Sequence, residues 1–129
     1  EVGRKYNLPV LLPRNNFETT APQLLQLTTE KDILIDEIIM AGEDVKPDGW
    51  EDYYTDAIKN LKPGVTEIII HCAFNDSEMQ AVSVNHPGYG AEWRQRDFDF
   101  FGSKACAKLL KDEKIILITW GDIKKLLAE

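Results

Sequence analysis

His71 ends the apolar run Ile68-Ile69-Ile70, and Asn75, Asp76 and Glu78 follow it closely. An imidazole titrates near neutral pH, so His71 is able to give or take a proton under ordinary conditions. The alternative is a histidine held beside the core by a hydrogen bond. Asn75, Asp76 and Glu78 offer acceptors for a sugar hydroxyl or a cation, or else cap the start of a helix. His86-Pro87-Gly88-Tyr89 places a second imidazole in a Gly/Pro-rich loop, read either as a plain turn or as a loop that touches substrate. Arg94 and Arg96, with Asp97 beside them, are solvated charges unless Arg94 turns inward onto a carboxylate. Cys72 and Cys106 have no spacing that suits zinc or redox chemistry, and both read as buried free thiols, with a bond between them left open.

The elements that must position these groups alternate between helix and strand. Glu1 to Tyr6 reads as the end of a helix stopped at Asn7, as though chain upstream were missing. Pro9 to Leu12 is a short apolar strand closed by Pro13-Arg14-Asn15-Asn16. Between Phe17 and Lys31, Thr19-Thr20-Ala21-Pro22 either caps a short helix with Leu24, Leu25 and Leu27 or belongs to loop. Ile33 to Met40 is the next strand. Asp48 and Glu51 form a capping-box pair, and Trp50, Tyr53 or Tyr54, Ala57, Ile58 and Leu61 recur at helical spacing behind it. Pro63-Gly64 stops that helix.

The β-branched run ending at His71 suits a strand covered on both faces, as in a parallel sheet. In such sheets, ligands collect at the carboxyl ends of strands, which is where His71 stands. Ala91 to Phe101 reads as a helix, although Asp97 falls where its apolar stripe wants a hydrophobe. Ser103 caps a second helix carrying Cys106, Leu109 and Leu110. Lys114 to Thr119 reads as another wholly apolar strand, and Thr119 to Asp122 as the capping box of a last helix running to Leu127. The expected fold is therefore α/β, with mostly parallel βα units over residues 1–129 as one domain.

A chain of 129 residues is long enough to bury a core. Its formal charge of −7 argues against nucleic acid or an anionic membrane surface as partner, since both call for a basic face. The first residues lack the basic-then-apolar order of a secretory signal. The sequence contains no glycine-rich phosphate loop, no nucleophile elbow and no metal-ligand pair at helical or CxxC spacing. From these residues alone, the chain is an α/β domain with one histidine in a suggestive place.

Three stretches taken together carry more. Pro63-Gly64-Val65-Thr66-Glu67-Ile68-Ile69-Ile70-His71, then Arg94 to Asp97, then Ile115-Ile116-Leu117-Ile118-Thr119-Trp120 resemble the C-terminal part of the YdjC-like carbohydrate deacetylases. The resemblance covers most of Asn60 to Leu127. It implies part of an irregular (β/α) barrel and the hydrolysis of the N-acetyl group of an amino sugar, with a divalent metal, zinc or magnesium, polarising the amide and activating water. It makes His71 the general acid for the leaving amine or a substrate contact, and Arg94 an orienting group; Asp76 is added as a substrate-binding residue. The family's metal ligands and catalytic aspartate sit in Asp-Asp and His-x-His motifs that this sequence does not contain, so the chain as given is expected to be catalytically incomplete. Cys72 and Ala73 stand where the family has proline and glycine, and His86-Pro87-Gly88 imitates that motif without a strand before it. The rival expectation is a non-catalytic α/β module that binds carbohydrate or another partner. Half a barrel also exposes sheet edges, which invites self-association.

Overall fold

Asn7 takes a left-handed backbone (φ 50°) and stops the first helix, α1 (Val2–Tyr6), as its sequence position suggests. The structure is a computed structural model that describes residues 2–29, 32–86 and 88–126. Glu1, Lys31, Pro87 and Leu127, which figure in the expectations above, lie outside the described residues. The chain divides into two compact units: Glu1–Ile38 with Pro63–Glu67 and Ile116–Glu129, and Ile39–Lys62 with Ile68–Ile115.

In the first unit, Leu12 to Arg14 pairs in parallel with Ile35 through two backbone hydrogen bonds of 2.9 Å. The residues read as a closing turn, Pro13-Arg14-Asn15-Asn16, instead lead into helix α2 (Arg14–Thr20), and α3 (Pro22–Leu25) starts on its proline. Asp36 ties this unit together. Its carboxylate accepts from the Val65 backbone N–H and from Arg14 Nε, both at 2.9 Å. Those two donors, the Val65 amide first, hold its pKa below the usual carboxylate value. Gly64 passes close by with φ +144°, and a Cβ there would lie 2.6 Å from Asp36 Oδ2. Glycine answers both demands. The last helix, α8 (Trp120–Leu126), has the anticipated box: Asp122 Oδ2 accepts from Thr119 N at 3.0 Å, and Thr119 Oγ1 accepts from Asp122 N at 3.2 Å.

The strand expected over Lys114 to Thr119 is not formed. Ile116 and Leu117 are 82 % and 76 % exposed, and the run belongs to no sheet. An apolar β-branched run becomes a strand only when another strand takes up its backbone groups, and among the described residues none does. Strands β1 (Glu37–Ile39) and β2 (Thr66–Ile68) form a two-stranded sheet. Asp36 N donates to Val65 O and Ile69 N to Ile39 O, so both chains advance in the same direction and the pair is parallel. Among the described residues β2 pairs with β1 alone, and the run leaves the sheet after Ile68; β2 is half-buried and Ile70 is exposed, so the expected strand covered on both faces is corrected.

The second unit holds the aromatic core. A 3₁₀ turn (Pro47–Gly49) leads into α4 (Trp50–Lys59). Asp48 lies inside that turn and Gly49 takes the cap position, so the expected capping box is absent. The apolar stripe is as anticipated, with Trp50, Tyr54 and Ile58 buried four residues apart. They pack with Ala41, Trp93, Phe100 and Cys106. Trp50 meets Trp93 edge-on at 4.6 Å between centroids, and Tyr54 stacks on Phe100 at 5.7 Å. Helices α5 (Ser77–Val82), α6 (Ala91–Phe101) and α7 (Lys104–Asp112) complete the unit, and Ser103 Oγ caps α7 by accepting from Cys106 N at 2.9 Å. No helix among the described residues is long and apolar enough to cross a membrane.

Candidate functional site

Three residues beyond β2, the backbone at His71 is pinned to helix α6. Its N–H donates to Asp97 Oδ2 at 2.7 Å, and Asp97 Oδ1 accepts from Trp50 Nε1 at 3.0 Å. Asp97 is fully buried, the one buried charged side chain among the described residues. This accounts for the interruption in the α6 stripe: the position takes a carboxylate because two N–H groups converge on it. The same charge, after burial itself, raises the pKa of the neighbouring Tyr54 phenol above its ordinary value.

The His71 ring lies 5.2 Å from the Tyr89 ring, which in turn packs 4.5 Å from Trp93. Its Nδ1 is buried without a protein partner. The ring borders a cavity of about 530 Å³ whose other polar lining comes from Ser83, His86 and Arg94, with Met79 and Val82 on the apolar side. Among the described residues Nδ1 has no hydrogen-bond partner, and with almost no accessible surface it does not itself open onto the cavity.

The loop between α5 and α6 builds the facing wall. Ser83 Oγ donates to Met79 O at 2.6 Å and accepts from Ala91 N at 3.1 Å, closing the end of one helix onto the start of the next. Tyr89 is held in the left-handed region (φ 63°), a conformation costly for a residue with a Cβ. Arg94 Nε donates to the Tyr89 carbonyl at 2.9 Å and fixes that turn. Arg94 therefore turns inward as one reading allowed, but onto a carbonyl oxygen instead of a carboxylate, and it lines the cavity.

The residues singled out from sequence fare differently. His71 and Arg94 come together on one cavity. Asp76 is exposed and caps α5, its Oδ1 accepting from Met79 N at 2.9 Å, and it does not line the cavity. His86, whose loop reads from sequence as a plain turn or a substrate-touching loop, lines the same cavity as His71; a histidine eighteen residues past the end of β2 carries no local signal of that closeness. Asp97 was visible only as a flaw in a helical stripe. Cys106 is buried in the core as expected, whereas Cys72 is exposed, and both are free thiols.

Among the described residues no three His, Cys, Asp or Glu side chains gather as a metal set. His71 and His86 are two nitrogen donors, short of the three protein ligands usual for catalytic zinc, and both oxygens of Asp97 are already engaged. These residues do not by themselves fit a divalent metal. The first unit contains a larger cavity, about 670 Å³, walled by Leu8, Val10, Phe17 and Leu24, with the Arg4–Asp32 ion pair among its polar groups. Among the described residues its wall holds no histidine and no buried unpaired polar atom.

A family model described as YdjC-like protein matches residues 1–112. No curated protein matches the chain. Among solved structures, a protein from Enterococcus faecalis V583, described as a candidate cellobiose-phosphate cleavage protein, superposes with a TM-score of 0.60 at 21% identity. The match covers 93% of this chain and 43% of that one, so the chain spans less than half the length of that protein. At that identity the likeness is one of fold.

Proposed function

Because the chain belongs to the YdjC-like protein family, we propose that it processes carbohydrate as part of a deacetylase acting on an N-acetylated amino sugar. The observation that carries the reading is that His71 lines one cavity together with His86, Arg94 and Tyr89, whose ring lies 5.2 Å from its own. Parallel β1 and β2, with α4 between them in sequence, and the parallel bridge at Ile35 support a place for these units in an irregular (β/α) barrel.

Amide hydrolysis adds a water oxygen to the acetyl carbon, breaks the C–N bond and requires a proton on the departing nitrogen. His71 is assigned that proton delivery. Its main chain is anchored by Asp97, so the ring is presented from a fixed point. Arg94, held by the Tyr89 carbonyl, directs its remaining N–H groups toward substrate oxygens. The zinc or magnesium ion that the resemblance implies would be held by residues other than those described here.

The test uses the whole protein and acetate release from N-acetylglucosamine oligomers. His71→Ala is expected to lower kcat by about 100-fold or more, the scale of a lost general acid, with the fold unchanged by circular dichroism. Undiminished turnover in that variant would remove the assignment. Binding of the sugar without acetate release under any metal supplied would leave the chain a carbohydrate-binding module.

A further inference from the structure

Phe74 and Phe98 are exposed, 61 % and 38 %, yet their rings pack on each other at 4.5 Å between centroids with 51° between planes. The two rings stand together outside the core cluster of their unit, and their position is specific. Phe98 is one helical turn from Arg94 on α6, so the two share a helix face. The segment carrying Phe74 is tied to that helix by Ala73 N donating to Arg94 O at 3.2 Å and Asn75 N donating to Gln95 Oε1 at 2.7 Å. The aromatic pair therefore stands one helical turn along α6 from Arg94, which lines the His71 cavity.

Polar side chains adjoin the two phenylalanines in sequence and bond to one another. Gln95 Nε2 donates to Asp99 Oδ1 at 2.7 Å, and Gln80 Nε2 donates to Asn75 Oδ1 at 2.8 Å. These bonds hold the side chains and leave Asn75 Nδ2 as a donor and Asp99 Oδ2 as an acceptor, neither with a partner among the described residues. A pyranose ring presents an apolar face of C–H groups and an edge of hydroxyls that both donate and accept. An aromatic surface flanked by a fixed donor and a fixed carboxylate complements both. The chain's charge of −7 disfavours the other common occupant of stacked aromatics, a nucleic acid base with its phosphates.

We propose that Phe74 and Phe98 form a second sugar subsite, so that the substrate is an oligosaccharide with one residue at the His71 cavity and a neighbouring residue stacked on this pair. The inference rests on the carbohydrate reading of the His71 cavity but not on deacetylation. Stacking is indifferent to the N-acetyl group, so the subsite accepts a neutral glucose unit as well as an N-acetylglucosamine unit.

The experiment titrates the ¹⁵N-labelled protein with N-acetylglucosamine, N,N′,N″-triacetylchitotriose and cellotriose, following backbone resonances around residues 71–75 and 94–99. Both trisaccharides are expected to bind and to shift Asn75 and Phe98, whereas the monosaccharide shifts only residues around His71 and Tyr89. Phe74→Ala should weaken both trisaccharides by about tenfold, the scale of one lost aromatic contact, and leave the monosaccharide unaffected. Phe74→Tyr keeps the ring face and should restore binding; Phe74→Leu keeps apolar bulk without the face and should not. Because Phe74 is exposed, these variants do not disturb the core. Equal affinity for mono- and trisaccharide, trisaccharide binding that survives both Phe74→Ala and Phe98→Ala, or no binding of any sugar would each overturn the subsite. Stacking of cellotriose with no acetate released from chitotriose would keep the subsite and dismiss the deacetylase.

Discussion

Removing the Asp97 carboxylate should unsettle the structure and the His71 site together. Its two oxygens are the acceptors for Trp50 Nε1 at 3.0 Å and the His71 N–H at 2.7 Å, and the side chain is wholly shielded from water. Asp97→Asn retains one carbonyl oxygen, so one of the two donors is left facing an NH₂ group at a cost of about 1–3 kcal/mol. Asp97→Ala strips both acceptors and leaves both donors unpaired, about 2–6 kcal/mol in all, with the His71 share smaller because that segment is only half-buried. Against a domain stability of about 5–15 kcal/mol, the alanine variant is expected to be close to unfolding and the asparagine variant folded but weakened. Urea unfolding followed by far-UV circular dichroism measures the first quantity. Hydrogen exchange at the His71 amide measures the second: in Asp97→Asn its protection should fall more than that of amides in the middle of α4. An asparagine variant within about 0.5 kcal/mol of wild type, with the His71 amide still protected, would refute the pairing as an energetic anchor.

Two further perturbations test the framework around the site. Asp36 has a lowered pKa in the folded chain, with the Val65 amide as the main cause and Arg14 next, so its contribution is in place above the unfolded value of about 3.9 and is lost as pH falls through the folded value. Thermal melts at decreasing pH should show Asp36→Asn already destabilised at neutral pH and losing less than wild type on acidification; parallel curves would exclude the linkage. Ser83→Ala removes the acceptor for the Ala91 N–H and should cost about 1–2 kcal/mol, seen as a lower thermal midpoint with faster hydrogen exchange in the 84–90 loop; unchanged exchange there would show that the loop is held by other contacts.

How much was legible before the fold was known differs from element to element. The α4 stripe of Trp50, Tyr54 and Ile58, the Ser103 and Asp76 caps and the Thr119–Asp122 box are local, because residues three or four apart make those contacts whatever the rest of the chain does. The Pro63-to-His71 stretch and the Arg94-to-Asp97 stretch also carried the family signal. The Lys114–Thr119 run misled because strand formation depends on a neighbour, and composition cannot supply one.

Sequence by itself settled α4, α6, α7 and α8 and the candidacy of His71, since each rests on residue types at short spacing, but it read the start of α2 as a turn. Tertiary structure alone brought His86 to the same cavity, turned Asp97 from a flaw in a stripe into the anchor of His71, and set Phe74 against Phe98. Those relations join residues 15 to 26 positions apart, and what selects them is burial, ring packing and the pairing of polar groups across the fold, which no local pattern encodes.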